Sequence, residues 1–416
     1  MNILFVVPYT PNPIRVRPYH LILALAQRGH HLTLATLWET PREQQDLAVL
    51  RERGVQVLAV ALPGLQRVRN MPGALLKGQP LQAAYCHSPA LLAQLEVTCR
   101  AQEFDAVHVE HLRGANYGLW LKQRLHGAGT PVIWDSVDCI SYLFRQAAQY
   151  SQSVFGRMVS RLELGRTERY ERWLCTQFER VLVTSTADMH AFELLAETHA
   201  PLSVVPNGVD LQHFAPSEPE RQPNVIVYSG KMSYHANVTA ALYLATQVMP
   251  QVWAERPGVK LVIAGSRPPA AITRLAADFP GRVEVTGYVA DMAVPLRQAA
   301  IAAAPLLYGA GIQNKVLEAM ACATPVVASV RATAALQVQP GVDCLVADTP
   351  HDFAGALLQL LGDAALRRQV GAAGRHYVTR HHDWDAIASQ LETYYAQGRR
   401  SSANARQPEF ASPLHR

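Results

Sequence analysis

The sequence predicts an α/β chain of two doubly wound domains, each a mostly parallel sheet with helices on both faces. Three observations predict it. Short apolar runs of the buried-strand kind alternate with helical stretches from the first residues to about residue 348. The alternation restarts after SEPERQP, a polar, proline-rich stretch between Pro216 and Pro223. And 416 residues exceed one ordinary core, while 49% hydrophobic and 17% charged residues describe a globular rather than a disordered chain.

Taken in order, residues 3–7 (ILFVV) form the first strand. The helix behind it has Pro18 near its start, LILALAQ as its apolar face and Gly29 at its end. HLTLATL and VQVLAVA follow as strands, then AVHVE (106–110), PVIWDSVD (131–138), RVLVTS (180–185) and LSVVPN (202–207). Between 151 and 178 lies an Arg/Glu-laced segment with apolar residues at 155, 158, 159 and 162, a helical spacing. The second series is NVIVYSG (224–230), VKLVIAG (259–265), VEVTGYV (283–289), IAAAPL (301–306), PVVASV (325–330) and DCLVAD (343–348). The expected domains are 1–215 and 216–382, then a helix over 383–397 and a polar, aperiodic tail from 398, expected to be disordered. The Asn-Gly of VVPNGVDLQHFAP is read as a structural turn, and HHDWD (381–385) as a helix cap with a packed Trp384.

The net charge of +5 favours an anionic ligand or an anionic membrane face and is too small to argue for nucleic acid. The six cysteines are scattered without a CxxC pair, so they read as buried thiols of a reducing cytoplasm, with no metal site and no disulfide framework. The start, MNILFVVPYTP, lacks a charged n-region and reads as a strand rather than a signal peptide. No stretch approaches the roughly 18 apolar residues of a membrane span.

Ligands of doubly wound sheets bind beyond the carboxyl ends of the strands, which singles out residues 8–17, 110–115, 135–142, 230–237, 265–268, 287–292 and 307–313. In GAGIQNKVLEAM the glycines let backbone come close to a ligand. A helix starting at Gly311 offers unpaired N–H groups and a positive dipole, and Glu318, on a face shared with Asn314 and Lys315, can take a sugar hydroxyl. A solvated Lys315–Glu318 pair is the alternative, but it leaves the Gly-Ala-Gly before it unexplained. In YSGKMSYHANV, Gly230 and Lys231 end the first strand of the second half, either to clamp a diphosphate or as a surface lysine on a glycine turn. In the first half, Glu110, His111, Asp135 and Asp138 follow two central strands. The histidine is a catalyst or a turn residue, and the aspartates are catalysts or helix caps. Arg15 and Arg17 in PYTPNPIRVRP either meet a phosphate or are solvated.

The combination of GxGIxNKVLEAMAxxTPVVAS, the VxPNGVDxxxF turn and the strand-end GKM resembles retaining glycosyltransferases of family four, most closely bacterial ones of cell-surface polysaccharide synthesis. The resemblance covers nearly the whole chain. It implies the GT-B fold: two Rossmann-like domains facing across a deep cleft, with the last helix returning to the first domain. It implies a nucleotide-sugar donor in the second domain and a glycan or lipid-linked acceptor mainly in the first, with no cofactor and no metal. Carried over by position, Glu318 holds the donor ribose. The Gly311 and Ile312 amides with Lys231 hold the diphosphate, and Gly287, Tyr288 and Val289 frame the base. The chain also departs from the family. Relatives carry an earlier glutamate where this chain has Ala310, and Gln313 or Asn314 are the candidate substitutes. A second basic residue after Lys231 is missing, since SYHAN stands there, and Asp135 or Asp138 stand in for the family's first-domain histidine.

In the front-face route proposed for such enzymes, the departing phosphate takes the acceptor proton, so no protein nucleophile is needed. The rival readings are a sugar-nucleotide binder that has lost transfer activity and a GT-B-type epimerase. A dinucleotide dehydrogenase suffers because no GxGxxG follows the first strand. The segment 151–180 raises a last expectation. Arg157, Arg161, Arg166, Arg169, Arg172 and Arg180, with Phe155, Met158, Val159 and Leu162, either rest a cytoplasmic enzyme on the anionic inner face of the membrane or form a packed helix with a salt-bridged face.

Overall fold

The computed structural model describes residues 1–76, 78–150, 154–216, 221–308 and 311–404. The chain forms two compact units, Met1–Val205 with Asp385–Arg416, and Pro206–Trp384. The division therefore falls after Val205, ahead of the proline-rich stretch taken as the junction from sequence, and residues 217–220 of that stretch lie outside the described residues.

The first unit is built on a seven-stranded sheet. Its strands are β1 (Asn2–Val7), β2 (His31–Trp38), β3 (Gln56–Ala61), β4 (Ala106–Glu110), β5 (Val132–Val137), β6 (Arg180–Val183) and β7 (Leu202–Val204), in the order β3-β2-β1-β4-β5-β6-β7. Every pairing is parallel. The central strands are buried along their length, so they read as unbroken apolar runs rather than alternating ones. Trp134, Phe178 and Phe192 anchor the core on one face.

The second unit has six strands: β8 (Gln222–Ser229), β9 (Lys260–Ala264), β10 (Val283–Gly287), β11 (Ala299–Ala304), β12 (Val326–Ala328) and β13 (Leu345–Val346). Their order is β10-β9-β8-β11-β12-β13, again all parallel. Alternate residues of β8 serve opposite faces: Ile226 and Tyr228 join one buried cluster, Val227 the other. Local chemistry sets the helix starts. Thr349 accepts the Asp352 N–H ahead of Pro350, and Asp363 accepts the N–H groups of Ala365 and Leu366.

In both sheets the strand order reverses once, between β1 and β4 and between β8 and β11. The crevice beyond such a reversal is where doubly wound folds bind ligands, because the following loops splay to opposite faces. Glu110 ends β4, and the chain beyond these four strands holds Tyr9, His111, Gly230–Lys231 and the segment before the helix Asn314–Ala321.

The last helix, Trp384–Asn404, packs into the first unit through Ile387, Ala388, Leu391 and Tyr395. Arg28 pairs with Glu392 and Asp385 at 2.7 and 3.0 Å, and the Tyr395 hydroxyl meets His108 Nδ1 at 2.9 Å. This helix runs on to Asn404, so the tail expected from 398 begins as helix, and residues 405–416 lie outside the described ones. Trp384 lies over Gly208, where any Cβ would come within 2.6 Å of the indole, and His382 bonds the Asn207 carbonyl at 2.6 Å. The Asn-Gly turn and HHDWD thus pack on each other. Among the described residues no helix is long and apolar enough to cross a membrane.

Candidate active site

In the second unit the site begins where β8 ends. Gly265, after the neighbouring β9, has φ of 159°, and a Cβ on it would lie 1.7 Å from the Gly230 carbonyl oxygen. Only glycine permits two strand-end loops to touch by their backbones in this way. On the other side of β8, the chain leaving β11 turns through Gly311 (φ 72°) and enters the helix Asn314–Ala321, with Gln313 at its cap. The helix therefore starts three residues later than sequence placed it, and Glu318 sits about one turn inside it. Gly309 and Ala310 lie outside the described residues.

One side chain ties these loops together, and sequence reading missed it. Asn237 accepts a hydrogen bond from Lys315 Nζ at 2.5 Å and donates to the Lys231 carbonyl at 3.0 Å. The Tyr228 hydroxyl bonds Asn237 in turn, and the Lys315 ammonium stands 5.2 Å over the Tyr228 ring. Sequence saw only that SYHAN holds no second base. The structure brings a lysine there from the helix Asn314–Ala321: the Cβ position of Gly230 is 3.4 Å from Lys315 Cε. Lys315 gives its ammonium to this amide and not to Glu318, so the two do not form the solvated pair weighed from sequence. Burial pulls Lys315 down to about 8, against the pull of Glu318, and burial pushes Glu318 up to about 7, against Lys315. Asn314 leaves its Oδ1 buried without a partner, and Lys231 is exposed. Gly287 ends β10, Tyr288 beyond it is 68% exposed, and Val289 packs on the core; two strands, β9 and β8, separate them from the Gly311 turn.

In the first unit, Tyr9, Arg15, Arg17, Glu110, His111 and Arg113 line one cavity of about 330 Å³. The Tyr9 hydroxyl donates to Glu110 Oε1 at 2.5 Å, while Oε2 is buried without a partner. Burial, reinforced by the charge of Asp135, raises the Glu110 carboxyl to about 8. His111 adopts φ of 64°, uncommon for a residue with a side chain. Burial and then Arg113 lower its pKa to about 3, so its imidazole is neutral. Its Nδ1 accepts the Arg113 N–H at 3.3 Å, which leaves Nε2–H as a donor.

Asp135 and Arg17 do not have the roles expected of them. Asp135 belongs to β5 itself, paired in register with Glu110, and is fully buried. Arg17 Nη2 and Nε reach its Oδ2 at 2.7 and 2.9 Å, and His108 Nε2 approaches at 3.2 Å. Burial pushes the Asp135 carboxyl up, but Arg17 and His108 outweigh it and hold the pKa below its ordinary value. Arg17 also donates to the Val205 carbonyl, so its guanidinium is spent inside the unit and is neither solvated nor free for a phosphate. Arg15 is paired with Glu43 at 3.1 Å. Asp138 lies outside the cavity lining, where burial and then the charge of Asp188 raise it to about 7. Neither aspartate lines the cavity, whereas His111 does. Among the described residues no cluster of His, Cys, Asp and Glu could hold a metal ion.

Comparison with known proteins places this arrangement. Residues 14–208 match the family described as glycosyl transferase 4-like domain, and residues 223–363 match glycosyl transferases group 1. The chain is 28% identical over 263 residues to the GDP-mannose-dependent monoacylated alpha-(1-6)-phosphatidylinositol monomannoside mannosyltransferase of Corynebacterium glutamicum, covering 59% of this chain and 69% of that one. Sucrose-phosphate synthase from Thermosynechococcus elongatus has a similar structure, with a TM-score of 0.66 at 17% identity over 95% of this chain and 98% of that one. Anabaena HepE in complex with UDP-glucose gives 0.65 at 17% identity, over 95% and 100%. At these identities the structural likeness speaks for the fold alone. The chain belongs to the group 1, family four glycosyltransferases and has their GT-B fold.

Proposed function

We propose that the protein is a retaining hexosyltransferase. It moves a sugar from a nucleotide donor held in the second unit to a glycan or lipid-linked acceptor held in the first, in cell-surface polysaccharide synthesis. The observation that carries this reading is the bracket at the strand-order reversal of the second sheet. There Asn237 aligns the Lys315 ammonium with the Lys231 loop, one turn from a carboxyl pushed up to about 7. Breaking a sugar–phosphate bond builds negative charge on the diphosphate. Lys231, Lys315 and the backbone N–H groups around Gly311 and Ile312 supply cations and dipoles for it, and Glu318 takes the ribose hydroxyls. Tyr288, with its ring exposed, stacks on the base beside Gly287 and Val289. The departing phosphate oxygen takes the acceptor proton on the face it leaves from, which retains the anomeric configuration without a protein nucleophile. His111, neutral, gives its Nε2–H to a sugar oxygen. No metal or cofactor has a part in this scheme. The protein acts in the cytoplasm, against the inner face of the membrane.

A GDP-mannose enzyme and a UDP-glucose complex among the similar proteins make GDP- and UDP-sugars the donors to test first. At 100 times its dissociation constant a true donor stabilises the fold by roughly 2.7 kcal/mol, a rise of several degrees in Tm. No shift with any nucleotide sugar would overturn the proposal. An inverted anomer in the product, read by NMR, would overturn retention alone.

A further inference from the structure

Two residues that line the cavity in the first unit each hold a buried polar atom without a partner among the described residues, Arg113 Nε and Glu110 Oε2. Glu110 is only 1% exposed. Native interiors rarely leave such atoms unpaired, and two at one cavity point to a missing ligand group.

The charges around the cavity say what that group is. Arg15 is neutralised by Glu43 at 3.1 Å, Arg17 by Asp135 at 2.7 Å, and Arg67, on the helix Gly64–Leu76, by Glu39 at 2.8 Å. Arg113 makes no ion pair among the described residues; its guanidinium stands 5.7 Å over the Tyr85 ring, and His111 beside it is neutral. One positive charge is therefore left over. Hydrogen-bond polarity agrees. Arg113 Nε–H can only donate. The Tyr9 hydroxyl already donates to Glu110 Oε1, and a carboxyl raised to about 8 carries its proton at neutral pH, which makes Oε2–H a second donor. Two donors and a surplus positive charge call for an acceptor-only, negative partner. The remaining wall, Ile14, Val16, Pro18 and Val137, is apolar and suits the face of a sugar ring.

We propose that this cavity takes the acceptor by an anionic oxygen group, a phosphate or a carboxylate carried on or beside the reacting sugar, with Arg113 as the charge-reading residue and Glu110 as its neutral hydrogen-bond partner. This rests on the proposed function, which puts the acceptor in the first unit, and it narrows the acceptor to charged glycans or phospholipid-linked sugars.

The test is titration of the full chain with four probes. They are glucose 6-phosphate, glucuronate, uncharged methyl glucoside, and phosphatidylcholine vesicles carrying equal fractions of either phosphatidylinositol or phosphatidylserine, so that attraction to any anionic surface is matched. The charged soluble probes should bind at least tenfold more tightly than methyl glucoside, and whichever of phosphate, carboxylate or phosphatidylinositol binds best identifies the source. Arg113→Gln should remove that preference, Arg113→Lys should recover part of it, and Glu110→Gln, which keeps a neutral donor, should retain it. Equal binding of methyl glucoside by the unaltered chain would overturn the proposal even if the Arg113 variants did not fold. So would displacement of the charged probes by UDP, which would move them to the second unit. Failure of the unaltered chain to bind nucleotide sugars would instead count against the proposed function and leave this site standing.

Discussion

Lys315 and Glu318 sit one helical turn apart, and burial acts on them in opposite directions. Between the ordinary glutamate value of 4.5 and about 7, the folded chain holds a proton that the unfolded chain has released, so stability falls as pH rises there. Between about 8 and the ordinary lysine value of 10.5, the unfolded chain holds the extra proton, so stability rises with pH. From 7 to 8 both groups are charged and both penalties stand. A donor with ribose hydroxyls for the carboxylate and phosphate oxygens for the ammonium relieves them together. Donor affinity should therefore follow a narrow bell with limbs near 7 and 8. Glu318→Gln should remove the acid limb and Lys315→Met the alkaline one, by calorimetric titration from about pH 6 to 9. Glu318→Gln should also weaken binding about ten- to a hundredfold, the worth of a charged hydrogen bond of about 1.5–3 kcal/mol, while Tm at pH 8 holds or rises. Affinity flat across the range, or lost Tm with normal affinity, would make Glu318 a helix residue only. At this scale the sequence was half legible. Periodicity shows which residues close a strand. It does not show that Asp135 turns into the sheet to meet an arginine 118 residues away, or that Asn237 collects a lysine from 78 residues on.

The strands themselves could be read because a parallel sheet covered on both faces leaves a continuous apolar signature, and each run named from sequence is a strand. Helix starts were less legible. Glycine marks flexible backbone, and Gly311 introduces its helix from three residues outside it. The Arg/Glu-laced segment holds the helix Val154–Leu174, and residues 151–153 lie outside the described residues. The packed, salt-bridged reading is the one this helix displays. Glu171 is buried and accepts the N–H groups of Ile140 and Ser141, while Arg166 pairs with Glu163, and Glu168 with Arg145. Yet Met158 and Leu162 are 52% and 64% exposed, beside exposed Arg161 and Arg169. If this face rests on anionic lipid, each arginine contributes about 1 kcal/mol and the attachment is salt-sensitive. Sedimentation with phosphatidylserine vesicles should then capture the protein at low salt and release it at high salt, and Leu162→Glu with Arg161→Glu should abolish capture. No capture at low salt would return the helix to a purely packing role.

For the whole molecule, the helix Trp384–Asn404 is the connection with the widest reach, since it follows the second unit yet completes the first. Glu392 fastens it: hydrogen bonding from Arg28, then His30, holds its carboxyl down to about 2. A depressed carboxylate stabilises the fold above its ordinary value and loses that contribution as pH falls towards 2. Glu392→Gln should therefore lower Tm near pH 7, and the gap to the unaltered protein should close by about pH 2. A gap that persists in acid would assign the loss to packing. The same connection sets an order of assembly. A ribosome delivers all seven strands of the first sheet before any of the second, but the helix that covers His108 emerges last. The second unit can thus close while the first still waits with a core face uncovered. During synthesis the amino-terminal half is the later of the two to mature, and a released chain ending at Trp384 should leave it open to protease while the half made after it is already resistant.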